Sequence, residues 1–461
     1  MLFAALFLCT APALAQQASY EVVDLGTLGG RVTEPLDINE TGQIAGYSET
    51  ADGQFHAFLY VNGEMQDLGE LGPGGSTGQA LNDSGVVTGL TGASDGHAHA
   101  FKYENGVMTD LGTNGFSSNG ADINNAGDVA GDAVGEDGRR RAVIYRGGSV
   151  IDLGAPASFT TSAVALNEAG QAAGIYDDDA GSHAFLFNGS SSVELVPGRT
   201  SVVFGGQSIN AAGQVAGGFD GDDTSHCFLF QGGQLTDPGS LGGGYCLGVG
   251  VNGKGVMTGI SANANGERHA FSYSGGAMTD LGTLGGDLSI GYAINDAGRV
   301  AGESSLVAGG DSRAFVHVDG KMIDLGALVQ GLTDLPVVES VAFDINSSGQ
   351  VLGRYTVHNA SDPTIPFQSR AFLATPLGTA GATLFDKLLG LLAGIGPVGG
   401  LLDIVTQARD AYVTNNLPQT CSALTSFASQ VRELAGGQID LVRAVLLQTE
   451  AVAIRGVVGC K

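Results

Sequence analysis

The stretch HAFLYVNGEMQDLG, His56–Gly69, reads as two short strands around an Asn-Gly turn, and its parts recur along the chain. The tripeptide His-Ala-Phe returns at His99, His183 and His269, and His226-Cys227-Phe228 is a near copy. At the same place in other units stand Arg141, Arg313 and Arg370. A second anchor, Asn-x-x-Gly, occurs eight times, beginning at Asn39, Asn82, Asn124, Asn167, Asn210, Asn252, Asn295 and Asn346. The steps are 43, 42, 43, 43, 42, 43 and 51 residues, a fixed period that marks a repeat architecture.

Each unit has one internal order. An apolar stretch such as GYAIN (Gly291–Asn295) leads into Asn-x-x-Gly, read as a tight turn because Asn and Gly both tolerate positive φ. A small, β-prone segment follows, as in RVAGES (Arg299–Ser304), and then a glycine-bearing acidic loop such as YDDDAGSH (Tyr176–His183). The HAF strand, an Asn-Gly or Gly-Gly hairpin signal and an Asp-Leu-Gly strand complete it. Four short strands in about 43 residues match a β-propeller blade. A β-helix coil is shorter, and helical repeats need a 3.6-residue periodicity that these units lack.

The strand count predicts how the ring closes. The first Asp-Leu-Gly strand, YEVVDLG (Tyr20–Gly26), precedes the first anchor, while no such strand follows the last unit. Inserting Tyr20–Gly26 into the last blade completes it and removes two exposed edges. The expectation is all-β: an eight-bladed propeller over residues 16–375, closed by the N-terminal strand. In HAFLY, the His, Phe and Tyr side chains face one way and Ala and Leu the other, so both mostly apolar faces are expected to pack against neighbouring blades. His56, His99, His183, His226 and His269 are read as structural donors, because Arg, which is no ordinary metal ligand, replaces His in three units.

The order DLGxLGG, AxxIN, GxVxG, HAFxYxxGxMxDLG over roughly Tyr20 to Thr375 resembles the bacterial extracellular HAF-repeat family. That resemblance implies export and repeat architecture and carries over no catalytic residues. The N-terminal MLFAALFLCTAPALAQQ fits a secretory signal cut after Ala15, which places the protein outside the cell, at the cell surface or in the periplasm. Setting Cys9 aside leaves Cys227, Cys246, Cys421 and Cys460, an even count whose sequence proximity favours the pairs 227–246 and 421–460.

After Thr375 the pattern turns helical. A linker over 376–382 leads into a module over 383–461, read as a small four-helix bundle with breaks at Gly396-Pro397 and Gly436-Gly437. Its expected core stripe is Leu424, Phe427, Val431 and Leu434, continued by Ile439, Val442, Val445 and Leu446. The module is similar to FIMAH, a helical appendage of exported bacterial proteins, on its paired Leu-rich helices, Cys421, Phe427, Val431 and the final Gly459-Cys460.

The net charge is −27, and all of it lies before Thr375, where 14 Lys/Arg face 41 Asp/Glu. Such a surface repels phosphate, so no nucleic-acid partner is expected. No apolar run is long and uninterrupted enough for a transmembrane segment. No nucleophile elbow and no Cys/His metal spacing appears, so no cofactor is expected. The acidic loops Asp177–Asp179, Asp220–Asp223 and Glu136–Gly138 could hold Ca²⁺, but their irregular spacing favours solvated turns. The near-uniform units favour a monomeric binding propeller for a protein or glycan. A propeller enzyme cleaving polysaccharide or ester in the central channel is the alternative, and it would need a unit that breaks the pattern with convergent acids, His or Arg.

Overall fold

The computed structural model describes residues 20–112, 116–154, 160–200, 202, 208–221, 224–359, 367–376, 385, 388–389, 391–392, 400–413, 417–435, 439, 441–457 and 460. The expected signal peptide over 1–15 and residues 377–382 of the expected linker lie outside them. The chain divides into two compact units, Glu21–Thr375 and a second that contains Pro376–Lys461.

The first unit is an eight-bladed β-propeller. Blade one is built from Gly29–Ile38, Ile44–Thr50, Phe55–Val61 and Glu64–Asp67, hydrogen-bonded in that order, and the blades that follow repeat the antiparallel meander. Blade five shows three strands, Val215–Asp220, Ser225–Gln231 and Gln234–Thr236; its inner segment is represented by the bridge from Ile209 to Val215. Blade eight comprises Val337–Ile345, Val351–His358 and Phe367–Pro376, and its fourth strand is Tyr20–Asp24 from the start of the chain. The Leu25 amide donates to the Ala371 carbonyl at 3.0 Å, as the Leu68 amide does to Ala57 within blade one.

The recurring motifs are blade-to-blade fasteners. Phe58 and Tyr60 of blade one pack with Ala371 and Leu373 of blade eight, while Ala57 and Leu59 pack with Phe101 and Tyr103 of blade two. The same Phe-on-Ala contact joins Phe185 to Ala142 and Phe315 to Ala270. Each of these phenylalanines is fully buried, and one such side chain withdrawn from water contributes roughly 1.5–3 kcal/mol. The Gly of the second strand is required by the neighbouring backbone. A β-carbon at Gly89 would collide with the Thr77 carbonyl oxygen, where a bulge between Gly78 and Ala80 kinks the inner strand.

The anchor asparagines act differently from the expectation. Gly42 and Gly85 of the turns take positive φ, but Asn39 and Asn82 do not. Their side chains are conserved in the repeat by hydrogen bonding instead: Asn39 Oδ1 accepts from the Thr41 and Gln43 amides. Asn39 Nδ2 donates to the Asn82 carbonyl at 2.9 Å, Asn82 to Asn124, and so on through Asn295 to Asn346. Asn346 Nδ2 returns to the Asn39 carbonyl at 3.1 Å and closes a ring of eight. The second turns follow the hairpin rule, with positive φ at Asn62 and Gly63 and at Asn105 and Gly106.

The second unit contains three long described helices. With α1 assigned to Leu325–Val329 of the propeller, they are α2 (Leu401–Val413), α3 (Leu417–Leu434) and α4 (Leu441–Val457). Leu424, Phe427, Val431 and Ile439 are buried as expected, with Leu434 partly so. In α4 the core face is Ala444, Leu447, Ala451 and Ile454, whereas Val445 and Leu446 are exposed. The helix that ends at Leu434 and the one that begins at Leu441 are separate, so extending the α3 stripe into α4 picks the wrong face; the side chain of Val442 lies outside the described set. No described helix is long and apolar enough to cross a membrane.

Candidate functional site

The HAF histidines and the Asp-Leu-Gly aspartates meet at the outer edge of the blades. His56 Nδ1 lies 2.9 Å from Asp67, His99 Nδ1 2.9 Å from Asp110, His226 Nδ1 2.9 Å from Asp237 and His269 Nδ1 2.9 Å from Asp280. His183 Nδ1 reaches Glu194 at 3.2 Å, and Arg313 reaches Asp324 at 3.1 Å in the same way. In blade eight the partner of Arg370, at 4.0 Å, is Asp24 of the closing strand. The aspartate also caps its own turn, as Asp67 Oδ1 does by accepting the Gly69 amide at 2.8 Å. Every member of this constellation is thus engaged within its blade, and the histidines converge on no common point.

The cysteines occupy motif positions. At most junctions the amide of the HAF alanine donates to a hydroxyl on the next blade, as Ala57 does to Ser76 at 2.8 Å and Ala270 to Ser289 at 2.8 Å. Cys227 stands where the alanine does, and Cys246, six residues before Asn252, where the hydroxyl does. Their disulfide replaces that contact between blades five and six. A second disulfide joins Cys421 of α3 to Cys460 beyond the end of α4.

The acidic loops spend their carboxylates locally. Asp178 Oδ1 accepts from the Ala180 amide and lies 3.1 Å from His183 Nε2, Asp177 takes the Thr160 hydroxyl, and Asp137 grips Arg141. That grip holds the Asp137 carboxyl down at about 2. Asp222 and Asp223 lie outside the described residues. Among the described residues no group of three or more His, Cys, Asp and Glu could hold a metal ion.

The departures from the repeat collect in the central channel. A cavity of about 470 Å³ is lined by inner-strand residues of all eight blades. One arc is apolar, with Val164, Ile209, Val249 and Val251. The other carries Asp37, Asp344, Tyr292 and Phe343, with Asp122 and Gln79 towards blades two and three. These residues are the bulge position and its successor, two places before each anchor Asn, where the other blades have Ala80, Ala165, Ser208, Gly250 and Ala293. The units are therefore not uniform where it matters. The signal was an Asp in LDIN, ADIN and FDIN, which reading the stretch only as apolar passed over.

Asp37 and Asp344 hydrogen-bond to each other across the seam between blades one and eight. Asp37 Oδ2 also accepts the Leu81 amide at 2.8 Å, and Asp122 Oδ2 the Leu166 amide at 2.6 Å, so each carboxyl ties its blade to the next. Burial raises all three: Asp37 upward, Asp344 well above the usual range with the Asp37 charge adding to it, and Asp122 to about 7. Two carboxylates in contact cannot both ionise cheaply, which adds to the upward push of burial on the pair. Behind this wall Arg354 pairs with Glu34 at 3.3 Å and lies over Phe343, and the Tyr292 hydroxyl donates to Glu303 at 2.8 Å. Burial beside Glu303 pushes that phenol upward.

No family model matches the chain, and no curated protein matches it. Among solved structures it is similar to TolB from Acinetobacter baumannii, at 11% identity and a TM-score of 0.32, covering 44% of this chain and 52% of that one. It is also similar to a puromycin-hydrolyzing peptidase of Mycobacterium tuberculosis, at 12% identity and a TM-score of 0.44, covering 74% and 61%. A putative gluconolactonase aligns at 12% identity and a TM-score of 0.28, covering 78% and 93%. The chain spans roughly half to three fifths of the length of the first two.

Proposed function

We propose that this is a secreted, non-enzymatic binding propeller of the HAF-repeat kind. Its ligand enters the central channel, and a FIMAH-like helical module over 383–461 serves for attachment or a second partner. Residues 1–15 act as the export signal, and the mature chain is a monomer whose negative charge turns away nucleic acid. One observation carries the reading: the repeated residues are consumed in fastening blade to blade, while the channel combines an apolar arc with a carboxyl pair and, among its described lining residues, has no His, Ser, Thr or Cys to act as general base or nucleophile. Two disulfides support an oxidising, extracellular setting. The test is capture of glycans or proteins from an array by the full chain, repeated with Val249→Trp, which fills the channel. Capture that the variant loses supports the reading; turnover of a substrate by the wild type refutes it.

The Asp37–Asp344 pair supports a second reading, an acid–base enzyme for polysaccharide or ester cleavage. Against the glycosidic version, the two carboxyls touch, whereas that chemistry separates them by roughly 5 Å or more. Hydrolysis of aryl esters or polysaccharide that disappears in Asp344→Asn would establish it.

A further inference from the structure

Each blade turns one backbone amide towards the channel. The anchor Asn amide donates to the carbonyl four residues on, as Asn252 does to Val256 at 3.0 Å, so the residue before the anchor stands in a non-hydrogen-bonded pair. Its N–H points away from the second strand, on the open side of the innermost strand, which is the channel side. In five blades a carboxyl meets it. The Leu81 and Leu166 amides donate to Asp37 and Asp122 of the preceding blade at 2.8 and 2.6 Å, and the Ile38 amide to Asp344 across the closure at 3.4 Å. The Ile123 and Ile345 amides donate to the Asp beside them, at 2.8 and 2.6 Å.

In the three consecutive blades five, six and seven the pattern stops. The matching amides belong to Ile209, Val251 and Ile294, and none meets an acceptor among the described residues. Ile209 and Val251 line the cavity, while the carboxyl position of these blades holds Ser208, Gly250 and Ala293. The Ser208 hydroxyl is fully buried and likewise has no partner among the described residues. Val251 and Ile294 are 6% and 4% exposed, and backbone donors so withdrawn from water are nearly always bonded. This arc calls for an acceptor.

The acceptor that fits is neutral. The three carboxyls elsewhere on the ring and the net charge of −27 disfavour a carboxylate or phosphate. A peptide strand does not fit either, because it pairs with alternate residues of one strand and not with one amide from each of three blades. A hydroxyl accepts from an N–H and donates to a carboxyl, and it meets that carboxyl in either protonation state.

We propose that the channel binds a neutral sugar unit of a glycan. Its hydroxyl oxygens accept from the Ile209, Val251 and Ile294 amides, and its hydroxyl hydrogens donate to the carboxyl arc. Its C–H face lies against Tyr292 and Phe343, which line the same cavity; the Phe343 ring centroid is 6.4 Å from that of Tyr292. The cavity of about 470 Å³ falls within the range of small-ligand sites, roughly 300–1,000 Å³. This rests on the reading of the channel as a ligand site and names its ligand class.

The experiment is isothermal titration of the full chain with the methyl glycosides of glucose, galactose, mannose, xylose, fucose and N-acetylglucosamine. Methyl glucuronide serves as the anionic control and cyclohexanol as the single-hydroxyl control. Gly250→Asp supplies in blade six what Asp122 supplies in blade three, a carboxyl that caps its own amide and the next blade's, here Val251 and Ile294. Gly250→Ala adds the β-carbon alone. The expected result is saturable one-to-one binding of at least one neutral glycoside, with the glucuronide and cyclohexanol weaker by roughly tenfold or more. Gly250→Asp should lose roughly tenfold or more with no fall in melting temperature, and Gly250→Ala should keep the wild-type affinity. Should Gly250→Asp melt early, Ser208→Asp, which caps Ile209 and Val251, takes its place. No binding of any neutral glycoside, equal binding of either control, wild-type affinity in the Asp variant, or an equal loss in Gly250→Ala overturns the proposal. Protein capture on the array that Val249→Trp abolishes would stand in each of these cases, so the sugar can fail without the channel reading.

Discussion

The outer edge of the ring and its channel were built by the same eight repeats, and they came out opposite. At the edge, blade after blade makes the same bonds: His to Asp, Asp to its own turn, Phe onto the neighbour's Ala. In the channel, the position two before the anchor is Asp in blades one, three and eight, Ala in two, four and seven, Ser in five and Gly in six. Uniformity marks the residues that hold the blades together. Departure from it marks the place where a ligand can tell one side of the channel from the other.

The contrast breaks most directly on stability. Phe271→Ala removes a fully buried motif side chain and is expected to cost about 3–5 kcal/mol in denaturant unfolding. Val249→Ala in the channel wall, where water or ligand replaces the lost methyls, should cost about 1 kcal/mol or less. Equal costs would erase the distinction between fastener and channel.

The junction of blades five and six sharpens it. The disulfide closes a loop of 19 residues, so Cys227→Ala with Cys246→Ala is expected to lose about 3 kcal/mol. Cys227→Ala with Cys246→Ser rebuilds the amide-to-hydroxyl bond of the other junctions and should recover about 1 kcal/mol of it. Identical unfolding of the two pairs would show that the hydroxyl is no fastener there.

A smaller effect separates the channel acids from the edge. Asp122 has its carboxyl raised to about 7 by burial, so the folded state binds the proton more tightly than the unfolded chain. Its contribution to stability is full below about pH 4 and is lost as the pH rises through 7. Relative to Asp122→Asn, which keeps an acceptor for the Leu166 amide, the wild type should lose about 1–2 kcal/mol between pH 4 and 8, channel water screening the rest. Parallel stability curves for the two would contradict the buried acid.

The smallest effect belongs to the edge. His56→Arg is expected to change stability by no more than about 0.5 kcal/mol, because Arg141 and Arg313 already make the equivalent contact to Asp152 and Asp324. A loss above about 1 kcal/mol would mean that the histidine does something arginine cannot.

Much of this was legible in the residues. The period of Asn-x-x-Gly gave the blade count, and the orphan Tyr20–Gly26 strand announced the closure, because a repeat leaves its bookkeeping in the chain. The asparagine's double duty was not legible: a turn residue that bonds a carbonyl 43 positions onward looks locally like any other turn residue. The channel acids were missed for a related reason. Asp37, Asp122 and Asp344 sit in otherwise apolar strands, and only the bulge decides that such a position faces the axis. In α4, a periodicity extended from α3 picks Val445 and Leu446, but the two helices are separate and share no phase, so both side chains face outward.

The most direct test of the closed ring is hydrogen exchange at the closing strand of the full chain. The Leu25 amide, bonded to Ala371, should exchange as slowly as the Leu68 and Leu281 amides, which make the same bond to Ala57 and Ala270 within continuous blades. Exchange of Leu25 at the rate of an unstructured peptide, with Leu68 and Leu281 protected, would contradict a propeller of eight blades sealed by its own N-terminal strand.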